Sequence, residues 1–141
     1  MYFDSAYIAK CYLPEPGAEK VRALARAAGG LASSSICIAE IACVLQRQGC
    51  EFGAPDHEIV KIRSQFRADL ENDVWRLIPV TDRLLYRVDH LVRSLRPDCL
   101  IRAGDAIHLA TAIDEGFEEI WTNDLRLHAA ADAAGLHARS V

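Results

Sequence analysis

A chain of 141 residues, 51% apolar and 26% charged, is long enough for one domain with a sizeable core and too apolar to be disordered. A net charge of −4 argues mildly against bulk nucleic-acid binding, and the apolar runs are too short to span a bilayer. Five cysteines (Cys11, Cys37, Cys43, Cys50, Cys99) form no CxxC pair and no zinc-type Cys/His spacing, and no basic-then-apolar leader opens the chain, so a reducing, cytoplasmic compartment is expected.

Short apolar strands alternate with helical stretches along the chain. That alternation predicts a single α/β domain over 1–141 with a mainly parallel sheet. A strand is predicted at 1–3, very short for a central position, followed by a helix at 5–12 that Leu13-Pro14-Glu15-Pro16-Gly17 stops. A helix at 18–28 ends at Gly29-Gly30, and a strand follows at 31–33. The serine cluster Ser33-Ser34-Ser35 can cap a helix at 36–48. The helix at 56–71 carries Ile59, Ile62, Phe66 and Leu70 at helical spacing. A strand at 75–80 precedes a helix at 83–95 with Leu84, Val88, Leu91, Val92 and Leu95 on one side. The helix at 106–115 is apolar nearly all round, which predicts burial. A strand at 119–122, a helix at 125–134 and a strand at 136–141 complete the order.

Four acids stand out against this frame. Asp4 and Asp124 each follow a strand and precede a helix, where an aspartate can cap free helix N–H groups. Ligands of open α/β sheets bind at that same carboxyl edge. Glu40 lies in an apolar helix with no Lys or Arg between residues 31 and 46 to pair it. Asp105 shares a helix face with Ile101, His108, Leu109 and Ala112, and a cap after Gly104 is its simpler role. A buried carboxylate neutralises, pairs or binds a metal ion. With no His or Cys cluster, an all-oxygen set suits Mg²⁺ or Mn²⁺ rather than zinc.

Around these acids, Ser5 is placed to orient Asp4, and Thr122 and Asn123 to orient Asp124; turn and cap chemistry is the plainer role of all three. His108 invites a ligand or general-base role, but a satisfied histidine packed near the site is commoner. Residues 76–102 hold six Arg against three Asp, beside the acid-rich 103–141. Such a segment suits a phosphate backbone, although a solvated helix face is the favoured explanation of the segment taken alone. A phospho-receiver domain would need a lysine after a late strand, and lysine occurs only at positions 10, 20 and 61. A haloacid-type phosphatase would need Asp-x-Asp where the chain has Asp4-Ser5-Ala6.

Four segments in order resemble the PIN-domain ribonucleases, and specifically the VapC-type toxins of bacterial toxin–antitoxin pairs. They are Tyr2-Phe3-Asp4-Ser5-Ala6, Ser33-Ser34-Ser35-Ile36 through Ala39-Glu40-Ile41, Arg102-Ala103-Gly104-Asp105-Ala106-Ile107-His108-Leu109-Ala110, and Thr122-Asn123-Asp124-Leu125-Arg126-Leu127. The resemblance implies a three-layer α/β/α sandwich on a five-stranded sheet. It implies Mg²⁺- or Mn²⁺-dependent endoribonuclease activity, with Asp4, Glu40, Asp105 and Asp124 as the catalytic and metal-binding acids. It also implies an RNA substrate, a cognate antitoxin protein and a homodimer, with no membrane partner. The alternative is a PIN-like module that binds nucleic acid or protein without catalysis.

Overall fold

The computed structural model describes residues 1–141. Its elements run β1 (Tyr2–Phe3), α1 (Ser5–Tyr12), α2 (Ala18–Ala27), β2 (Leu31–Ser34), α3 (Cys37–Cys50), α4 (Asp56–Glu71), β3 (Trp75–Ile78), α5 (Asp82–Ser94), α6 (Ala103–Asp114), β4 (Glu119–Trp121), α7 (Leu125–Ala133) and β5 (His137–Arg139). The five strands pair in parallel in the order β3-β2-β1-β4-β5.

Strand β1 is short and nevertheless central. Tyr2 and Phe3 are wholly buried. Successive strand residues face opposite sides, so Tyr2 enters one core and Phe3 the other. Flanking backbone prolongs the pairing: Ala32 N–H donates to Met1 O (2.9 Å) and Asp4 N–H to Trp121 O (3.1 Å). The Ser33 hydroxyl adds a bond to Phe3 O at 2.8 Å.

Two apolar layers cover the sheet. Phe3, Tyr7, Val21, Ile41, Leu45 and Phe66 join α1–α4 on one face. Tyr2, Leu109, Ile120, Leu127 and Leu136 join α6 and α7 on the other, with Leu91 of α5 packed against them. Strand order explains the division. The chain steps from β1 to β2 to β3 in one direction, then returns past β1 to β4. Crossovers of constant right hand must change face when they change direction. The switch point lies between β1 and β4, where Phe3 pairs with Trp121.

Two local expectations are corrected. The serines do not cap α3. Its N-cap is Ile36, without a side-chain bond, because Ser33 is committed to β1 and the Ser35 hydroxyl accepts from Val80 N–H at 3.0 Å. Helix α6 begins at Ala103, three residues before the predicted start. Its N-cap is Arg102, so Asp105 lies inside the first turn and is not a cap.

Phe3 packs edge-on to Tyr7 with ring centroids 5.3 Å apart and lies against Trp75 at 5.9 Å. Phe3→Ala should therefore cost about 3–5 kcal/mol, read as a fall in the urea midpoint at unchanged slope. A loss below about 1 kcal/mol would contradict the central place of β1.

Candidate active site

Four helix N-termini meet at the carboxyl edge of the sheet, and each brings one acid. Asp4 caps α1 through Oδ1, which accepts Tyr7 N–H at 2.8 Å. Asp124 caps α7, its Oδ1 accepting from Arg126 N–H (2.7 Å) and Leu127 N–H (3.1 Å). Glu40 and Asp105 stand in the first turns of α3 and α6. The cap reading of Asp4 and Asp124 is thus correct, and it uses one oxygen of each. All four acids line one cleft of about 500 Å³, with Arg47, Arg102 and His108. Their side chains share this cleft without closing into a tight three-ligand group.

Asp4 is almost fully buried, as is His108, while the Glu40 side chain is about one-third exposed. Ser5 does not orient Asp4. Its hydroxyl donates to Glu40 Oε2 at 2.5 Å and lies 3.0 Å from His108 Nε2. Thr122 Oγ1 accepts the backbone N–H of Asp124 at 2.9 Å, which is turn chemistry and not a bond to the Asp124 carboxylate. Asn123 serves elsewhere: its Oδ1 accepts the Tyr7 hydroxyl at 3.2 Å, and Tyr7 Oη in turn accepts Val141 N–H at 2.8 Å.

His108 is the residue that sequence reasoning undervalued. Its Nε2 lies 2.9 Å from Glu40 Oε2 and its Nδ1 lies 3.0 Å from the Tyr2 hydroxyl. An ionised carboxylate only accepts, so the network assigns the proton to Nε2. Nδ1 then accepts from Tyr2, whose phenol burial keeps in the neutral, donating form. Arg47 was also missed, although seven residues after Glu40 is two helical turns and the same face.

Burial and neighbours divide the acids. Burial pushes the Asp4 carboxyl up to about 6, against the opposing hydrogen bonds from Thr122 and Tyr7. Asp105 is also raised, by burial and then by the negative charges of Asp124 and Glu40. Burial would raise Glu40 too, but the His108 and Ser5 hydrogen bonds outweigh it and hold the carboxyl below its usual range.

The arginine-rich segment contributes less to the cleft than its sequence suggests. Arg76 pairs with Glu115 at 3.0 Å, Arg96 with Asp98 at 3.1 Å, and Arg87 with Asp114. These are surface pairs, and of the six arginines Arg102 alone lines the cleft.

The donor set fits a hard divalent cation. Asp105 Oδ2 is buried with no hydrogen-bond partner, an arrangement that a cation would satisfy. Mg²⁺ takes one or two carboxylates directly and retains several waters, which a loose cleft accommodates better than a tight cage. Asp4 and Asp105 are the acids that burial and neighbouring negative charge most disfavour as anions.

A raised carboxyl gives stability that is present below the unfolded value and lost as pH rises through the folded value. For Asp4 that window runs from the ordinary carboxyl value of 3.8 to about 6. In chelator, Asp4→Asn should therefore melt above the parent at pH 8, by the equivalent of about 3 kcal/mol. The gap should close as pH falls below 4, because Asn preserves the cap and removes only the charge. Parallel melting curves for the two proteins across that range would contradict the buried anion.

The PIN domain family model matches residues 1–133. No curated protein matches the chain. Solved structures share its fold at low identity. VapC20 of Mycobacterium tuberculosis, a Sarcin-Ricin loop cleaving toxin, superposes with a TM-score of 0.71 at 17% identity, over 92% of this chain and 93% of that one. VapBC2 of Rickettsia felis, bound to a DNA fragment from its promoter, gives 0.68 at 15% identity over 99% and 97%. FitAcB of Neisseria gonorrhoeae gives 0.68 at 18% identity over 97% and 94%. The four-acid cleft at the β1/β4 switch point, the parallel sheet around it and the match over residues 1–133 together place this chain in the PIN-domain family.

Proposed function

We propose that this PIN domain is a Mg²⁺- or Mn²⁺-dependent endoribonuclease and the toxin of a toxin–antitoxin pair. The observation that carries the reading is the cleft itself: Asp4, Glu40, Asp105 and Asp124 line one cavity at the switch point, and Asp105 Oδ2 is buried there without a partner. Asp4 and Asp105 would hold a divalent cation, which would supply Lewis acidity toward a phosphate oxygen and toward water.

The chain's own residues do the rest. The α1 and α7 caps hold one oxygen each of Asp4 and Asp124, so the two carboxylates cannot turn away from the cleft. Glu40 remains anionic at neutral pH and is a fixed acceptor for a water proton. Arg47 and Arg102 border the acids and offer cationic groups to the phosphates that flank the scissile bond. The reaction is hydrolysis: a water oxygen bonds to phosphorus, the bond to the ribose oxygen breaks, and that oxygen takes up a proton.

Antitoxin, RNA and a second copy of the chain are the partners this reading brings with it. Apolar helix faces beside the cleft suit an antitoxin; Ile38 of α3, about half exposed, lies two residues from Glu40. The competing reading is a PIN-like binding module without catalysis. Against it stands the expense of keeping Asp4 buried and four acids together, which serves no purpose in a module that never meets a cation.

Metal titration separates the two readings. Saturating Mn²⁺ should raise the melting temperature of the parent by about 5 °C or more, and a module without a site should show no shift. Asp105→Asn should stay folded and lose metal-dependent RNA cleavage by about a hundredfold or more, since the ion's contribution is worth several kcal/mol. Unreduced cleavage by Asp105→Asn would sink the nuclease assignment.

A further inference from the structure

Glu40 differs from the other acids of the cleft in how it is held. Asp4 and Asp124 are tied to backbone N–H groups, whereas Glu40 ends a long side chain that no backbone donor reaches. Left alone, such a side chain samples several rotamers. Three features remove that freedom. Ser5 Oγ and His108 Nε2 both meet Oε2, at 2.5 and 2.9 Å. His108 is itself immobile, buried in α6 and fixed from behind by the Tyr2 hydroxyl at 3.0 Å. Oε1 lies against Gly104, where a Cβ would be only 2.2 Å from it. Gly104 is the second residue of α6, and its backbone shows no left-handed φ that would call for glycine. Its use here is the space it leaves.

We propose that His108, backed by Tyr2 and joined by Ser5, and the bare surface of Gly104 are positioning elements that hold the Glu40 carboxylate in one orientation for the cation of the nuclease site. The inference rests on the metal-site reading of the cleft. In this role Ser5, His108 and Gly104 act through Glu40, and Tyr2 acts through His108. Oε2 is turned inward onto two donors, and Oε1 is the oxygen left free of protein hydrogen bonds. Preorganisation of this kind removes the loss of rotamer freedom that would otherwise accompany ligation.

The test uses Mn²⁺ alone, followed by electron paramagnetic resonance, beside melting curves and RNA cleavage. Gly104→Ala is the central variant. The atom it displaces is the end of a flexible side chain, and alanine favours the helix, so the variant should melt at or above the parent temperature. Its Mn²⁺ affinity should nonetheless fall roughly tenfold or more, the usual penalty for losing an outer partner of a ligand. The cleavage kcat should fall with it, at unchanged KM for RNA. His108→Leu should show the same loss, and His108→Gln, whose amide nitrogen can reach Oε2, should restore most of it. In a Glu40→Gln background, both Gly104→Ala and His108→Leu should have no further effect on Mn²⁺ binding, because they act through the missing carboxylate. If the parent binds Mn²⁺ and Gly104→Ala binds it equally well, the positioning role is overturned and the nuclease reading stands. If the parent does not bind Mn²⁺ and Asp105→Asn changes nothing, the metal-site reading falls and takes this inference with it.

Discussion

Like charges confined in one cleft repel, and the architecture around them is the answer to that repulsion. Each of the four acids sits at the N-terminal end of a helix: α1, α3, α6 and α7. A helix N-terminus carries about half a positive charge on its unpaired N–H groups, so four of them converging provide a field that favours carboxylates. Two of the acids exploit the same groups a second time, as caps. The compensation is incomplete, since Asp4 is still pushed up to about 6 by burial and Asp105 is raised as well. A bound cation would relieve that remaining part. A fully compensated cluster would have no reason to bind one.

Topology explains why residues 120 positions apart can share this burden. Asp4 and Asp124 follow β1 and β4, and the register Phe3 to Trp121 sets those strand ends side by side. Helices from both layers reach the same edge, α1 and α3 from one and α6 and α7 from the other. The site therefore depends on a two-residue central strand that must be placed correctly against both neighbours. Its burial on both faces, and the serine and backbone bonds that prolong it, are conditions for the chemistry as much as for the fold.

Most of the fold was legible because its signals are local. Helices such as Asp56–Glu71 and Ser5–Tyr12 announce themselves by periodicity and by stop residues, and the predicted bounds agree with the structure. The Asp4 and Asp124 caps were legible for the same reason. What escaped were long-range commitments. Ser33 and Ser35 resemble helix caps in sequence, yet they bond partners 30 and 45 residues away. The start of α6 was hidden because Arg102-Ala103-Gly104 offers no capping side chain. His108 looked like an ordinary core histidine, and by burial it is one. Its significance comes from Tyr2, Ser5 and Glu40, which lie 106, 103 and 68 residues away, and no spacing rule connects them.

That histidine also gives the four acids different characters. In a uniform cluster, each carboxylate would be raised by its neighbours and protonated in part. Here Glu40 is drawn the other way, because Ser5 and His108 stabilise its anionic form more than burial disfavours it. Separation of this kind, with environments driving similar groups apart, is how one site assigns distinct tasks to chemically identical side chains. Glu40 becomes a fixed anion of fixed orientation. Asp4 and Asp105 become the acids whose charge depends on what else occupies the cleft. The first property comes from the Ser5 and His108 donors behind the wall, the second from burial and proximity within it. Removing the donors would raise Glu40 and release its carboxylate at once, which couples the electrostatics of the cleft to its geometry through one buried imidazole.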